Sequence, residues 1–420
     1  MKKILWLSNI AFSENPLAHS GGWLQPMAEA LQRTGKVQIC NVTFGDTSVV
    51  IQNDCAGFRQ WIIPERTTGY GHIATRKTCE EVARIEQIVQ PDLVHAWGTE
   101  GAWISIYAKG YLKSPFLADM QGLVYVIADY FYGGLTFSEI LKCIWLKEII
   151  MPWRTLFWKK RIFEKRGQYE IVNIKSLSNI SCQSEWVKHQ LSVIHPNASY
   201  HSTKIMMRKP FYSATPWQYR KTNCPVAFSL CSAATSFKGI HVLIKAIGVL
   251  KKKYPSIQLQ LAGSIDVGNR LSDGYSVFLR KLIKKYDIVD NVQYLGNLNA
   301  EQIISHLQNC NVCVVPSFIE SYCMVLAEAM FIGVPAVVSY TGAMPDLATH
   351  NKSALFYNSL DHGLCAAYID MLISDQTLAE TISVNARENR LIENDPATVI
   401  ETQLSIYSSF LKDFNHFIKK

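Results

Sequence analysis

Short β-branched runs alternate with amphipathic helical stretches along almost the whole chain, and no other feature constrains the fold as much. Residues 3–8, Val37–Phe44, Leu93–Ala96, Pro115–Ala118 and Asn179–Cys182 read as strands, with helices expected at Trp23–Gln32, Glu80–Val89 and Glu185–Val193. Strands alternating with helices in this way imply βαβ units around a parallel sheet. The pattern lapses into Pro-rich and polar sequence around 196–217 and then starts again. Strands are expected at Val226–Leu230, Ile257–Ala262 and Val292–Leu295, and helices at Gly239–Lys252, Tyr275–Tyr286 and Glu301–Asn309. The fold class is therefore α/β, with one βαβ domain over 1–205, a second over 206–398 and a linker near 200–215. A last helix, about 399–417, is expected to pack back on the first domain. A length of 420 residues suits two domains.

With 48% apolar and 18% charged residues the chain can bury sizeable cores and is not disordered by composition. A net charge of +8 suits an anionic ligand or an anionic surface. No basic block interleaved with aromatics argues for nucleic acid. The 11 cysteines are scattered without framework spacing, which points to a reducing compartment. Cys310-x-x-Cys313 lacks a second pair and reads as core, so no metal site is expected. The apolar part of the N-terminus is too short for a signal peptide, and no run of about 18 apolar residues could span a bilayer. The expected location is cytoplasmic, or peripheral on the cytoplasmic membrane face.

The most informative local segment is Glu320-Ser-Tyr-Cys-Met-Val-Leu-Ala-Glu328. It follows the strand-like 311–317 and leads through Gly333 and Pro335 into Ala336–Ser339. Ligands of α/β folds sit at the carboxyl ends of strands, where helix N-termini offer amides. If the helix starts near Tyr322, its rise separates the two carboxylates by roughly 10–12 Å. That is too far for a glycosidase pair, at about 5–9.5 Å, and instead suits one extended ligand held at two points. The apolar residues Met324–Ala327 leave little polar face for an exposed helix. Two further pieces suit an anion: Gly21-Gly22 in the first strand-to-helix loop, and Lys238-Gly239 in the corresponding loop of the second domain. Neither matches a Walker loop, and no GxGxxG follows either first strand, so a dinucleotide dehydrogenase lacks its main support.

Glu320-x7-Glu328 running into Ala329-Met330-x-x-Gly333-x-Pro335 resembles the retaining nucleotide-sugar glycosyltransferases of family 4, "group 1", which have the GT-B fold. Gly21-Gly22, Lys238-Gly239, Ala262-Gly263, Leu295-Gly296, Thr341–Asp346 and Pro91–His95 extend the resemblance over nearly the whole chain. It implies two Rossmann-like domains facing across a cleft, with a nucleotide sugar as donor and a glycan or lipid-linked saccharide as acceptor. Surface polysaccharide or glycolipid synthesis is the expected setting, with no cofactor and no metal. By the same resemblance Glu320 contacts the donor sugar and Lys238 stabilises the departing diphosphate. Glu328 holds the ribose, and Gly21, Gly22 and the stretch Ser321, Tyr322, Cys323, Met324 and Val325 cradle the phosphates.

This sequence departs from the family's pattern twice. Where an Arg commonly precedes the Lys by five residues stands Ala233, so a bidentate clamp is missing. Where members often carry a His before Gly stands Gln121, which joins His95 and Glu100 as acceptor-side candidates. These departures keep a rival open, a catalytically degenerate GT-B protein that binds or scaffolds. An epimerase is a third reading without its usual acid/base residues. Separately, the aromatic and basic stretch 140–166 suits either a core helix with a basic outer face or a peripheral membrane contact.

Overall fold

The computed structural model describes residues 1–14, 22–64, 73–98, 102–264 and 272–411, apart from the side chains of 232 and 233. The chain divides into two compact units, one of 1–125, 162–208 and 393–420, the other of 126–161 and 209–392.

The first unit is built on strands β1 (Lys2–Leu7), β2 (Val37–Gly45), β3 (Ile51–Cys55), β4 (Phe58–Pro64), β5 (Leu93–Trp97), β6 (Phe116–Met120), β7 (Asn179–Cys182) and β8 (Ser199–Ser202). Their order is β3-β4-β2-β1-β5-β6-β7-β8, parallel except for the β3–β4 hairpin. Residues 4–7 of β1 and all of β5 and β6 are buried, as strands covered on both faces must be. The helix Pro396–Ser408 belongs to this unit: Trp6 Nε1 donates to Tyr407 Oη at 3.0 Å, and Thr203 Oγ1 donates to Gln403 at 3.2 Å.

The second unit holds β9 (Val226–Ala233), β10 (Gln258–Ser264), β11 (Val292–Gly296), β12 (Val312–Val315), β13 (Ala336–Ser339) and β14 (Leu355–Tyr357). All pair in parallel, in the order β11-β10-β9-β12-β13-β14, the doubly wound 3-2-1-4-5-6 arrangement. The helices Ile240–Leu250, Gly274–Lys285, Ala300–Asn309 and His362–Ser374 are its crossovers and flanks. Asn299 and Gln302 close a capping box on the third of these.

Most expected elements form within a residue or two, and the differences have local causes. The β3–β4 hairpin was not expected; β3 is almost wholly exposed and so carries no apolar alternation. The polar stretch at 196–217 does hold the crossing between the units, at 208/209, but it is not irregular throughout, since it contains β8 and the short helix Lys209–Tyr212. The helix Gln376–Glu393 was also missed. Residues 126–161, counted in sequence with the N-terminal domain, group instead with the second unit. There Glu139 accepts from Lys245 Nζ at 3.0 Å and Glu148 accepts from the Gly274 amide at 3.0 Å.

Candidate active site at the switch point of the second sheet

In a doubly wound sheet the loops leaving the strands diverge where the strand order reverses, and a ligand crevice forms there. In the second unit that point lies between β9 and β12. The turn Ser236–Lys238 follows β9, and residues Pro316–Cys323 follow β12. Topology alone thus brings Lys238 and Glu320 together from 82 residues apart.

They meet in an ion pair. Lys238 Nζ donates to Glu320 Oε1 at 2.6 Å, and Ser317 Oγ donates to the same oxygen at 2.7 Å. Neither side chain is sealed off, with 22% of Lys238 and 15% of Glu320 exposed. Burial alone would push the lysine down; the Glu320 charge and hydrogen bond outweigh it, and the ammonium lies above its ordinary value.

The backbone around the pair is held by close approaches that only glycine permits. Gly239 adopts φ +70°, and a Cβ there would sit 1.9 Å from the Pro316 carbonyl oxygen. Phe318 N–H donates to the Phe237 carbonyl at 2.7 Å, clasping the two loops. On the other side a Cβ on Gly342 would lie 2.1 Å from the Glu320 carbonyl oxygen, which accepts from Ala343 N–H at 2.9 Å. Thr341 Oγ1 donates to the Phe318 carbonyl at 2.6 Å. A Cβ on Gly133 would come 2.1 Å from the Ser236 carbonyl oxygen, and Ser236 Oγ donates to the Phe131 carbonyl. Sequence reasoning missed Ser317 and the turn at Phe131–Gly134. The Gly133-Gly134 pair was the visible signal for the latter.

The helix behind Glu320 runs Met324–Ile332, two residues later than expected, and ends at Gly333 with φ +87°. Its N-cap is Cys323, a non-glycine residue at φ +75°. Strained backbone of this kind costs about 1–3 kcal/mol and concentrates at functional sites. The first intrahelical bond joins Ala327 N–H to the Cys323 carbonyl at 3.1 Å, so the amides of Met324 and Val325 project from the helix start. Ser321, Tyr322, Met324 and Val325 are partly exposed, whereas the Cys323 side chain is buried and its thiol pushed well up. Glu328, the fifth helical residue, is buried among Leu326–Ile332 and is no ordinary surface glutamate.

The remaining sequence candidates lie in the first unit or outside the described residues. Gly22 stands in the turn before the helix Leu24–Arg33; Gly21 and Glu100 fall outside the described residues. Gln121 is half-buried directly after β6. His95, expected on the acceptor side, has no exposed surface. Its Nδ1 is 2.9 Å from Tyr407 Oη and its ring lies 4.0 Å from that of Trp97, so it faces the unit's own core rather than a ligand. Burial pushes its imidazole down to about 3. Cys310 and Cys313 are likewise core residues, the Cys310 thiol raised by burial to about 12. Among the described residues no His, Cys, Asp and Glu cluster could hold a metal ion.

Residues 221–389, which contain this whole β9–β12 site, match the family of glycosyl transferases group 1. The second unit carries a group 1 glycosyltransferase domain. The chain is 30% identical over 170 residues to the uncharacterized glycosyltransferase YqgM of Bacillus subtilis, covering 40% of this chain and 45% of that protein. It is 28% identical over 178 residues to the capsular polysaccharide biosynthesis glycosyltransferase CapM of Staphylococcus aureus, covering 42% of this chain and 44% of that one. The chain thus spans less than half the length of these curated relatives. In fold the likeness is wider: HepE of Anabaena, solved in complex with UDP and glucose, superposes with a TM-score of 0.67. That match covers 97% of this chain and all of the other at 16% identity, and the architecture is GT-B.

Proposed function

We propose that the protein is a retaining glycosyltransferase that moves a sugar from a nucleoside-diphosphate donor to a glycan or lipid-linked saccharide. The observation that carries this reading is the Lys238–Glu320 pair at the switch point, with Glu328 buried in the helix that follows. In this mechanism the diphosphate draws Lys238 toward itself, and the ammonium stabilises the charge that develops as the sugar leaves. The amides at the start of the Met324–Ile332 helix take the phosphate oxygens. Glu320, still held by Ser317, accepts from the donor sugar's hydroxyls, and Glu328 accepts from the ribose. Retention by front-face displacement needs the leaving group stabilised rather than a strong base, and this site supplies cationic and amide stabilisation without calling on a metal ion.

HepE was solved with UDP and glucose, which supports a nucleotide-sugar donor, and CapM bears a capsular polysaccharide name, which supports a place in surface polysaccharide synthesis. No helix among the described residues is long and apolar enough to cross a membrane. We place the protein in the cytoplasm, peripheral on the membrane face where lipid-linked acceptors lie. The test is a panel of nucleotide sugars scored for transfer and hydrolysis, with the anomeric configuration of the product read by NMR. Glu328→Ala should chiefly raise the donor KM, and Glu320→Gln should lower kcat. An inverted product would end the retaining assignment, and near-normal activity in both variants would end the site assignment. Tight UDP or GDP binding without turnover on any donor would favour the degenerate binding protein that Ala233 leaves open.

A further inference from the structure

The stretch 137–158 is held to the second unit on one side and left open on the other. Ile140, Cys143, Glu148 and Leu156 are buried. A Cβ on Gly274 would collide with the Cys143 carbonyl at 1.5 Å, so the helix Gly274–Lys285 lies directly against the stretch. On the outer side Phe137, Leu146, Ile149, Ile150 and Trp153 are exposed at 68%, 54%, 67%, 72% and 57%. Leu146, Ile149 and Ile150 stand at i, i+3 and i+4 of the helix Leu146–Ile150 and so share one face; exposed side chains this large and apolar mark an interaction surface.

The charges around them are one-sided. Between 137 and 161 the only acids are Glu139 and Glu148, and both turn inward. Glu139 is paired with Lys245 at 3.0 Å and accepts from the Thr136 amide at 3.0 Å. Glu148 accepts from the amides of Gly274 and Trp145 at 3.0 and 3.2 Å. Lys142, Lys147, Arg154, Lys159, Lys160 and Arg161 belong to the same stretch, and none is buried. Lys281 lies over the Trp145 ring at 4.6 Å and adds a further cation.

We infer that the 137–161 platform docks on an anionic lipid bilayer, with Ile149, Ile150, Leu146 and Trp153 entering the interface and the cations lying against headgroup phosphates. The proposal deepens the peripheral-membrane part of the proposed function by naming the surface and the lipid class. Exposed aromatic and aliphatic side chains interspersed in sequence with cations are the pattern that lies in the headgroup boundary. Each cation near an anionic leaflet strengthens binding about fivefold. A second copy of this chain would instead bring like charges together, and a polar glycan would leave the isoleucines without apolar partners.

The test uses the full chain, with flotation on vesicles of phosphatidylcholine alone and of equimolar phosphatidylcholine and phosphatidylglycerol. Flotation with the anionic vesicles at low salt, and little with the neutral ones, is expected. The exposed pair Ile149→Ser/Ile150→Ser and the separate pair Lys159→Glu/Lys160→Glu should each weaken binding by about tenfold or more. Circular dichroism and transfer to a soluble acceptor should be unchanged in both. Absence of binding at low salt, or binding by both variants as strong as that of the unmodified chain, overturns the proposal. So does concentration-dependent self-association that Ile149→Ser/Ile150→Ser abolishes, which would give the face to a second copy. Vesicle binding is read without turnover, so its failure and that of the transferase reading are distinguishable.

Discussion

In the first sheet the strand order reverses between β1 and β5, where Trp6, His95 and Trp97 stand; in the second it reverses between β9 and β12, where Lys238, Ser317 and Glu320 stand. The topology is shared and the chemistry is opposite. His95 is wrapped in aromatic rings with no charged partner, so burial drives it neutral, down to about 3. Lys238 is also deep, yet a carboxylate at 2.6 Å keeps it protonated. A polar residue at a strand end is therefore a weak sign of a ligand site; a polar residue with a charged, partly exposed partner is a stronger one. Because the Lys238 value is raised above 10.5, the stabilisation linked to the lysine's proton is fully present below that pH and is lost as pH rises through the higher folded value. Neutral-range changes in turnover thus do not originate at Lys238.

The largest expected effect sets the two switch points against each other. Glu320→Gln should lower kcat by about 10²–10³-fold, the usual cost of removing a transition-state electrostatic contact. His95→Gln should leave kcat near normal and lower the unfolding midpoint. Steady-state kinetics on the donor found in the panel decides it, and an equal loss of kcat in both variants would break the comparison.

The second effect is on stability and belongs to neutral imidazoles in both units. His241, in the helix Ile240–Leu250, has its Nδ1 2.9 Å from Tyr275 Oη and is pushed by burial down to about 4. Both histidines are depressed from 6.5, so between that pH and the folded values the unfolded chain binds protons the folded chain refuses. Stability should fall as pH falls below 6.5, by up to about 1.4 kcal/mol per unit for each group. Urea midpoints across pH 6.5 to 4 should show this slope, and His95→Asn and His241→Asn should each flatten it. A slope unchanged in both variants would assign acid lability to other groups.

The same contrast explains what was legible in the sequence. Buried parallel strands and amphipathic crossovers leave a periodic signal, so Asn179–Cys182 and Ala336–Ser339 match their expected bounds. Glu320, Glu328 and Lys238 were visible because a motif fixes residue types at set spacing. The Lys238–Glu320 bond itself was not, since only the order of β9 and β12 brings residues 82 apart together. His95 looked like a ligand residue because sequence does not show that Tyr407, 312 positions on, covers it. Residues 126–161 were counted with the wrong neighbours because Glu139–Lys245 and Glu148–Gly274 are long-range contacts with no periodicity.

Two glycines refine the point at intermediate scale. Gly342 and Gly110 have φ of +51° and +76°, but a Cβ on the first meets the Glu320 carbonyl, and on the second nothing within 4 Å. Ala at either costs about 1 kcal/mol or more for the backbone conformation. Only Gly342→Ala should also displace Glu320, so it should lower kcat by about tenfold, the scale expected of small misplacements in a site. Equal kinetics for the two variants would show that the Thr341–Ala343 turn does not position the carboxylate.

The smallest effect compares the two tyrosines that serve the histidines. Tyr407 Oη accepts from Trp6 Nε1 at 3.0 Å as well as meeting His95, and it fixes the C-terminal helix to β1 and β5. Tyr275 Oη meets His241 and joins neighbouring helices. Tyr275→Phe leaves one buried imidazole nitrogen without its hydroxyl, a loss of about 1 kcal/mol. Tyr407→Phe strands an indole N–H as well and should cost up to about 3 kcal/mol. Urea midpoints of the two variants test the ranking. If Tyr275→Phe proved the more damaging, the aromatic cage around His95 would be holding the first unit by packing alone, and the hydroxyl network would not be its joint.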